Sequence, residues 1–467
     1  MYKKEEFYQN LITKLLNNSC TVGADYYRPQ WHVSAPTGLL NDPNGLIHHK
    51  GNYHLFYQWN PLSCRHGMKV WGHMTSNDLV SWNHYFPALI PEEEYESHGC
   101  YSGSAIVVND QVTLFYTGNV KFKGGRTSYQ CLATLKDDGD VQKLGPVISA
   151  PNGYTGHVRD PKVWLHEGYF YVVLGAQDIY KQGKVIWYRS NDLTNWQFLG
   201  ELAGSGHNGF GKFGYMWECP DLFNLEGKDI LLFCPQGLEK ENEHFANLFQ
   251  AGYVIGALNY HTKSYQHGAF QEFDLGFDFY APQTMEDEYG RRILIGWMGL
   301  PDENESYHPT IKNGWVHQMT CPRVLTLKNN KLYQQPVKEL EVLRKNETKI
   351  ISIANDIPSL QLRCAEMIVE GGINCQINLS DIVLIHVDNT EVTLKRKNWR
   401  TNLWESRSWQ GSIEILQILL DHSSIELFIN NGEAVMSSRF FSPCNESFYI
   451  TFEGSEVIHL TYWELSY

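Results

Sequence analysis

Three acidic residues stand in stretches that a folded chain would hold in fixed geometry: Asp42 in Asn41-Asp42-Pro43-Asn44-Gly45, Asp160 in Arg159-Asp160-Pro161, and Glu218 in Trp217-Glu218-Cys219-Pro220-Asp221. Proline fixes φ and Asn and Gly favour turns, so each carboxylate sits on stiffened or turning backbone. Convergent carboxylates suit the cleavage of an acetal, in which one attacks or stabilises the sugar cation and a second, protonated, delivers a proton to the leaving oxygen. The same residues could instead ligate calcium or another hard cation. Against that, the acids are not clustered at ligand spacing, and Arg159 and Trp217 stand directly beside two of them. Asn41 to Gly45 read alone is also what turn chemistry would choose for a plain β-turn.

These acids can act together only if the fold brings them together, and the chain carries a repeat that would do so. Apolar runs recur at His54 to Gln58, Thr113 to Thr117, Phe170 to Leu174, Ile230 to Cys234 and Ile293 to Trp297, spaced by 57 to 63 residues. Such a fixed period marks a repeat architecture. A polar signature precedes each run: Asn41-Asp42-Pro43, Tyr101-Ser102-Gly103-Ser104, Arg159-Asp160-Pro161, Glu218-Cys219-Pro220-Asp221 and Tyr280-Ala281-Pro282-Gln283. A second repeat, Ser76 to Trp82 and Ser190 to Trp196, reads as an outer turn in which Asn-Asp caps a bend and Trp pins it. Short strands with little helical periodicity predict an all-β, five-bladed β-propeller whose innermost strands direct the signatures into one funnel.

The period is lost near Gln335. Pro336 to Arg344 reads as a short helical connector, and alternating runs behind it (Ile373 to Leu379, Ile413 to Leu420, Ile425 to Ile429, Phe448 to Phe452) predict an antiparallel β-sandwich. The expected organisation is an amphipathic N-terminal helix over 1–20, a propeller over 21–335, a linker over 336–348 and a sandwich over 349–467. In the helix, Leu11, Ile12, Leu15 and Leu16 supply the apolar positions.

Composition narrows the function classes. The chain has 467 residues and a formal net charge of −14, with no long basic run. Nucleic acid and anionic membrane surfaces are therefore poor partners. The ten cysteines are scattered singly without a Cys-x-x-Cys pair, which indicates neither a zinc site nor a dense disulfide framework. No cofactor or metal is expected. The N-terminus has no uninterrupted apolar core before a small-residue cleavage site, and no stretch approaches the roughly 20 apolar residues of a membrane span. A cytoplasmic protein with reduced thiols is expected.

At these residues the sequence resembles glycoside hydrolase family 32, the invertase and fructosidase family. The matching motifs are Asn41 to Gly45, Trp71-Gly72-His73 with Ser76 to Trp82, Tyr101 to Ala105, Arg159-Asp160-Pro161, Glu218 to Asp221 and Phe279 to Thr284, joined in the second domain by Asp421 to Gly432. The resemblance implies a five-bladed propeller followed by a sandwich, with Asp42 as nucleophile, Glu218 as general acid/base and Asp160 as stabiliser of the transition state. The implied reaction is retaining: it passes through a fructosyl-enzyme on Asp42 and requires carboxyls roughly 5 to 5.5 Å apart. Cys219 and Tyr280 are expected to tune Glu218, whose pKa should be raised for it to hold a proton near neutral pH. Leu39, Asn41, Gln58, His66, Tyr101, Ser102, Arg159, Tyr280 and Trp297 are the expected substrate-binding residues. Trp297, which ends an inner run, could equally be core.

The sequence departs from the plant and yeast pattern at Leu39-Leu40, where a Trp-Met pair often stands, and at His66, where some relatives carry Trp. Both features are more similar to the intracellular bacterial branch that hydrolyses sucrose 6-phosphate. The expected substrate is sucrose or its 6-phosphate, with a fructan hydrolase or fructosyltransferase as the alternative, ahead of a carbohydrate-binding propeller that has lost its chemistry. Arg65, His66 and Lys69 form a locally basic loop that could pair with the phosphate, His66 being the strongest candidate.

Overall fold

The structure, a computed structural model, describes residues 4–371, 373–443 and 447–467. The first three residues of the expected N-terminal helix lie outside them. A helix runs from Lys4 to Gly23 and lays Phe7 and Leu11, four residues apart and both fully buried, on the core of the sheets that follow. Its buried stripe is Phe7, Leu11 and half-buried Leu15; Ile12 and Leu16, expected on the same face, are exposed.

Among the described residues the strands form seven sheets. Five follow one another between Gly38 and Pro336, and each begins with a polar-signature strand paired antiparallel to one of the periodic apolar runs. The first strands are Gly38–His49, Cys100–Val108, Tyr154–His166, Met216–Leu225 and Tyr280–Glu286. Each touches the next, and Tyr280–Glu286 touches Gly38–His49, so they lie side by side in a closed cycle. The two-residue strand Trp315–Val316 returns to pair in parallel with Gly38 and Leu39, tying the end of this region to its beginning. The outer turn is built twice, as expected. Asp78 accepts the backbone N–H groups of Val80 and Ser81 while the Trp82 indole donates to Leu79; Asp192, Thr194, Asn195, Trp196 and Leu193 repeat the pattern.

The remaining two sheets, each of six strands, are antiparallel and enclose their own apolar core, which includes Met367, Ile377, Leu394, Ile418, Leu427 and Phe452. A propeller followed by a β-sandwich is thus the architecture. A six-residue 3-10 helix, Lys338–Leu343, joins the two groups of sheets.

The two groups share a buried ionic network. His32 is held between Asp421 and Glu426, 2.8 Å from each. Arg323 reaches Glu426 at 2.6 Å, Asp274 at 3.2 Å and the Ser437 hydroxyl at 2.7 Å. Every one of these side chains is nine-tenths or more buried, so the charges are compensated by one another and not by water.

Candidate active site

One irregularity, repeated in all five of these sheets, aims the polar signatures. The register between first and second strand slips between Leu40 and Pro43, Tyr101 and Gly103, Lys162 and Arg159, Glu218 and Asp221, and Tyr280 and Gln283. Each slip leaves residues unpaired, as a β-bulge does, and turns a side chain out of the sheet's alternation. Three of the slips contain a residue with positive φ that is not glycine: Asp160 at 64°, Cys219 at 49° and Ala281 at 47°. Such conformations are uncommon outside Gly, Asn and Asp and concentrate where position matters more than local comfort. At Gly103 the need is close approach, since a Cβ would sit 2.0 Å from the Phe115 carbonyl oxygen. The plain turn that Asn41 to Gly45 suggests is therefore a bulged strand, Gly38–His49, because Pro43 and Asn44 pair with Tyr57 and Phe56.

The bulges bring the acids into one cavity of about 390 Å³, lined by Asp42, Asp160 and Glu218 from three different sheets. Asp42 accepts the Ser102 hydroxyl at 2.5 Å and the Asn41 amide at 2.9 Å. Asp160 accepts the Cys219 backbone N–H at 2.9 Å. Glu218 accepts Arg159 through Nε at 3.0 Å and a terminal nitrogen at 2.5 Å, and its other oxygen takes Tyr280 at 2.8 Å and Gln236 at 2.5 Å.

The electrostatics separate the acids. Burial, reinforced by Glu218 and Asp42, pushes Asp160 up to about 7 against the pull of Arg159. Burial would also raise Glu218, but the Arg159 charge and the hydrogen bonds from Arg159 and Tyr280 bring it below its usual range. The expected raised pKa at Glu218 is thus corrected: in this cluster the elevated carboxyl is Asp160. The Cys219 thiol lies 3.8 Å from Asp42 and 3.7 Å from Asp160 and so stands between the other two acids. Hydrogen bonding to Cys234 and burial push the thiol well up, so it remains protonated.

Asn41, Gln58, His66, Tyr101, Ser102, Arg159, Tyr280 and Trp297 all line the cavity. Leu39 does not. It is fully buried and paired with Asn60, two residues short of the bulge that turns Asp42 inward. Gln58 spends its amide on the Cys100 carbonyl at 2.9 Å, which fixes one wall. Trp297 is both core and wall: it lines the cavity, yet is only 2% exposed and packs edge-on to His317.

The basic loop divides. Arg65 is exposed and outside the cavity lining. His66 is 2.9 Å from the Glu305 carboxylate, which also receives His317 at 2.8 Å. Lys69 is buried, donates to Asn41, lies 3.0 Å from His66, and is lowered by burial to about 8. The loop's cationic groups at the cavity are already engaged, and Glu305 adds a negative charge behind them.

Gln236, Lys121 and Arg126 line the cavity but were not singled out by sequence reasoning. Gln236 ends the second strand of its sheet, two residues beyond the apolar run, where polarity reads as an ordinary strand end. Lys121 and Arg126 flank a hairpin turn, where charges are usually solvated. Their signal is that they add to Lys123 in a short basic stretch of a strongly acidic chain.

Comparison with known proteins agrees with this geometry. Residues 32–336 match the Glycosyl hydrolases family 32 N-terminal domain, and residues 388–464 match the Glycosyl hydrolases family 32 C terminal domain. The chain is 47% identical to a sucrose-6-phosphate hydrolase of Salmonella typhimurium, over 95% of this chain and 94% of that one. It is 45% identical to a sucrose-6-phosphate hydrolase of Bacillus subtilis, over 95% of each. Among solved structures, the sucrose-6-phosphate hydrolase from Lactobacillus gasseri superposes with a TM-score of 0.90 at 30% identity, over 100% of this chain and 99% of that one. A Bombyx mori GH32 beta-fructofuranosidase mutant in complex with sucrose superposes with a TM-score of 0.86 at 33% identity, over 99% of each. With two family domains in order along one chain and relatives matched along almost its whole length, the protein belongs to glycosyl hydrolase family 32.

Proposed function

We propose that this protein is a retaining β-fructofuranosidase that hydrolyses sucrose or sucrose 6-phosphate, releasing fructose and glucose or glucose 6-phosphate. Three carboxyls from three sheets meeting in one cavity carry this reading. Asp42, oriented by Ser102 and Asn41, attacks the anomeric carbon of the fructosyl unit. Glu218 gives a proton to the departing oxygen and then activates water against the fructosyl-enzyme. Glu218 suits this role because its side chain is 17% exposed, against 7% for Asp160, and so reaches the leaving group. Arg159 holds Glu218 ionised until a sugar hydroxyl competes for the guanidinium, at which point burial raises its proton affinity. Asp160 stabilises the transition state through the fructosyl hydroxyls.

A second assignment, with Asp160 as the proton donor, is favoured by one observation, the elevation of Asp160 to about 7. The test is fructose release from both sugars by purified protein, repeated with a fructoside whose leaving group needs no proton. The variant whose first step recovers on that substrate lacks the acid: Glu218→Ala under the proposal, Asp160→Ala under the alternative. No fructose from either sugar with wild-type protein overturns both.

The proposal includes a five-bladed propeller over about 21–335, supported by five sheets whose first strands touch in a closed cycle. The linker is taken as 336–348 and the sandwich, 349–467, contributes no catalytic group. No described helix is long and apolar enough to cross a membrane. Eight cysteines, from Cys64 to Cys375, are unpaired, which fits a reducing compartment, the cytoplasm.

A further inference from the structure

The cavity lining contains four Lys or Arg side chains, and they are not equivalent. Arg159 is committed to Glu218 and Lys69 to Asn41 and His66. Lys121 and Arg126 have no carboxylate partner among the described residues, although the chain carries a net charge of −14. They stand directly opposite one another on the antiparallel strands Gln111–Phe122 and Gly125–Leu135. Opposed residues of such a pair project to the same face, and like charges there are destabilising unless an anion lies between them.

The local structure holds this pair in place. The Arg126 guanidinium lies over the Tyr101 ring, 6.0 Å from its centroid, and 3.4 Å from His157 Nδ1. Burial, with the neighbouring Arg159 and Arg126, lowers His157 to about 4, so its ring is neutral and accepts. Gly156 lets the third sheet's first strand approach the Arg126 carbonyl, since a Cβ there would sit 1.9 Å from that oxygen. On the facing strand, the Lys121 backbone N–H donates to His98 at 3.1 Å.

The position of the pair selects the anion. Asp160 is buried and the other reacting carboxyls are partly so, whereas Lys121 is exposed and Arg126 half-buried at the mouth of the same cavity. The fructosyl unit must sit with the acids, so the mouth holds the leaving group. We infer that Lys121 and Arg126 form the subsite that reads a phosphate on the leaving-group sugar, an assignment that rests on the fructosidase reading above. It replaces the Arg65, His66 and Lys69 loop as the phosphate reader. A phosphate offers three acceptor oxygens, and a guanidinium with an ammonium can satisfy them by charge-assisted hydrogen bonds.

The experiment measures kcat/KM for sucrose 6-phosphate and for sucrose with wild type, Lys121→Gln, Arg126→Gln, the double variant, and the charge-keeping Lys121→Arg and Arg126→Lys. The ratio of the two constants is the readout, so general damage to a variant cancels. Wild type should prefer the phosphorylated sugar. Each charge-removing variant should lower the ratio about ten- to a hundredfold, the range of one or two charge-assisted bonds. Lys121→Arg should retain most of the ratio. Inhibition by glucose 6-phosphate, compared with glucose, should weaken in parallel. Ratios equal to wild type in both single variants and the double variant overturn the assignment, as does a wild type without preference for the phosphorylated sugar. Sucrose hydrolysis by wild type in those cases leaves the fructosidase reading standing, and its absence with both sugars is the failure of that reading instead.

Discussion

Replacing His32 with Ala removes the cation between Asp421 and Glu426 and leaves both carboxylates buried. Glu426 keeps Arg323 at 2.6 Å, and Asp421 keeps backbone N–H groups from Gln30 and His422, each at 2.7 Å. Breaking such a buried pair costs about 3–5 kcal/mol, because the remaining charge stays uncompensated. With an unfolding entropy of about 2.1 cal/mol/K per residue, cooperative unfolding of a chain this long turns that into a Tm loss of roughly 3–5 °C. The effect depends on pH with a definite sign. Burial favours the neutral His32 ring, but the hydrogen bonds it donates to Asp421 and Glu426 outweigh it and raise its pKa. Its contribution is therefore full below its unfolded value of about 6.5 and is lost as pH rises through the folded value. Glu426, buried but held by Arg323 and His32, is lowered to about 2, and Asp421 is also lowered. Their contributions are present above the unfolded carboxylate range of about 4 and disappear as pH falls toward the folded values. The Tm gap between wild type and His32→Ala should be widest near pH 5 to 6.5 and narrow on both sides. A calorimetric gap under 1 °C at pH 6, or one that widens steadily to pH 9, refutes the reasoning.

Other expectations follow from the same geometry. Asp42→Ala and Glu218→Ala should each lose on the order of 10²- to 10⁴-fold or more in kcat with circular dichroism unchanged, since neither side chain fills a core. Asp160→Asn should remove activity yet raise Tm at pH 8. The folded carboxyl, raised to about 7, favours the native state at low pH and loses that contribution as pH rises through 7, so the gain over wild type should vanish near pH 4. A Tm gain that is the same at both pH values contradicts the assignment. Deleting 349–467 should yield aggregated protein, because it strips Glu426 and Ser437 from buried Arg323 and uncovers the apolar residues, Phe273 and Phe279 among them, whose cluster Phe428 and Val435 complete; a soluble, folded and selectively inactive remainder would give the sandwich a direct role.

The fold was legible where the sequence repeats. The apolar runs became second strands and the signatures first strands, because a 57 to 63 residue period and strand alternation are both written locally. The acids were legible through their stiff neighbours, Pro43 and Pro161 among them. The bulges were not, since nothing local says that Asp160, Cys219 and Ala281 adopt positive φ, and the neighbouring first strands that these residues meet come from distant parts of the chain. Leu39 lies outside the cavity lining, fully buried and paired with Asn60 ahead of the bulge, a placement that depends on where the register slips and is not written locally. The lowered proton affinity of Glu218 was not legible because it depends on where the Arg159 fork points, a contact across 59 positions of sequence. Lys121 and Arg126 went unnoticed because a basic hairpin is normally a solvated face, and only the register reveals that they oppose one another at the cavity.

A covalent sugar on Asp42 is the most direct measure of the proposed chemistry. Glu218→Ala, given a fructoside with a leaving group that needs no proton, should complete the first step and stall at the second, because no base activates water. Intact-protein mass spectrometry should then show the addition of one fructosyl unit, and peptide mapping should place it on the segment containing Asp42, with no adduct in an Asp42→Asn, Glu218→Ala double variant. A fructosyl unit on any other residue, or an adduct that persists in the double variant, contradicts the account.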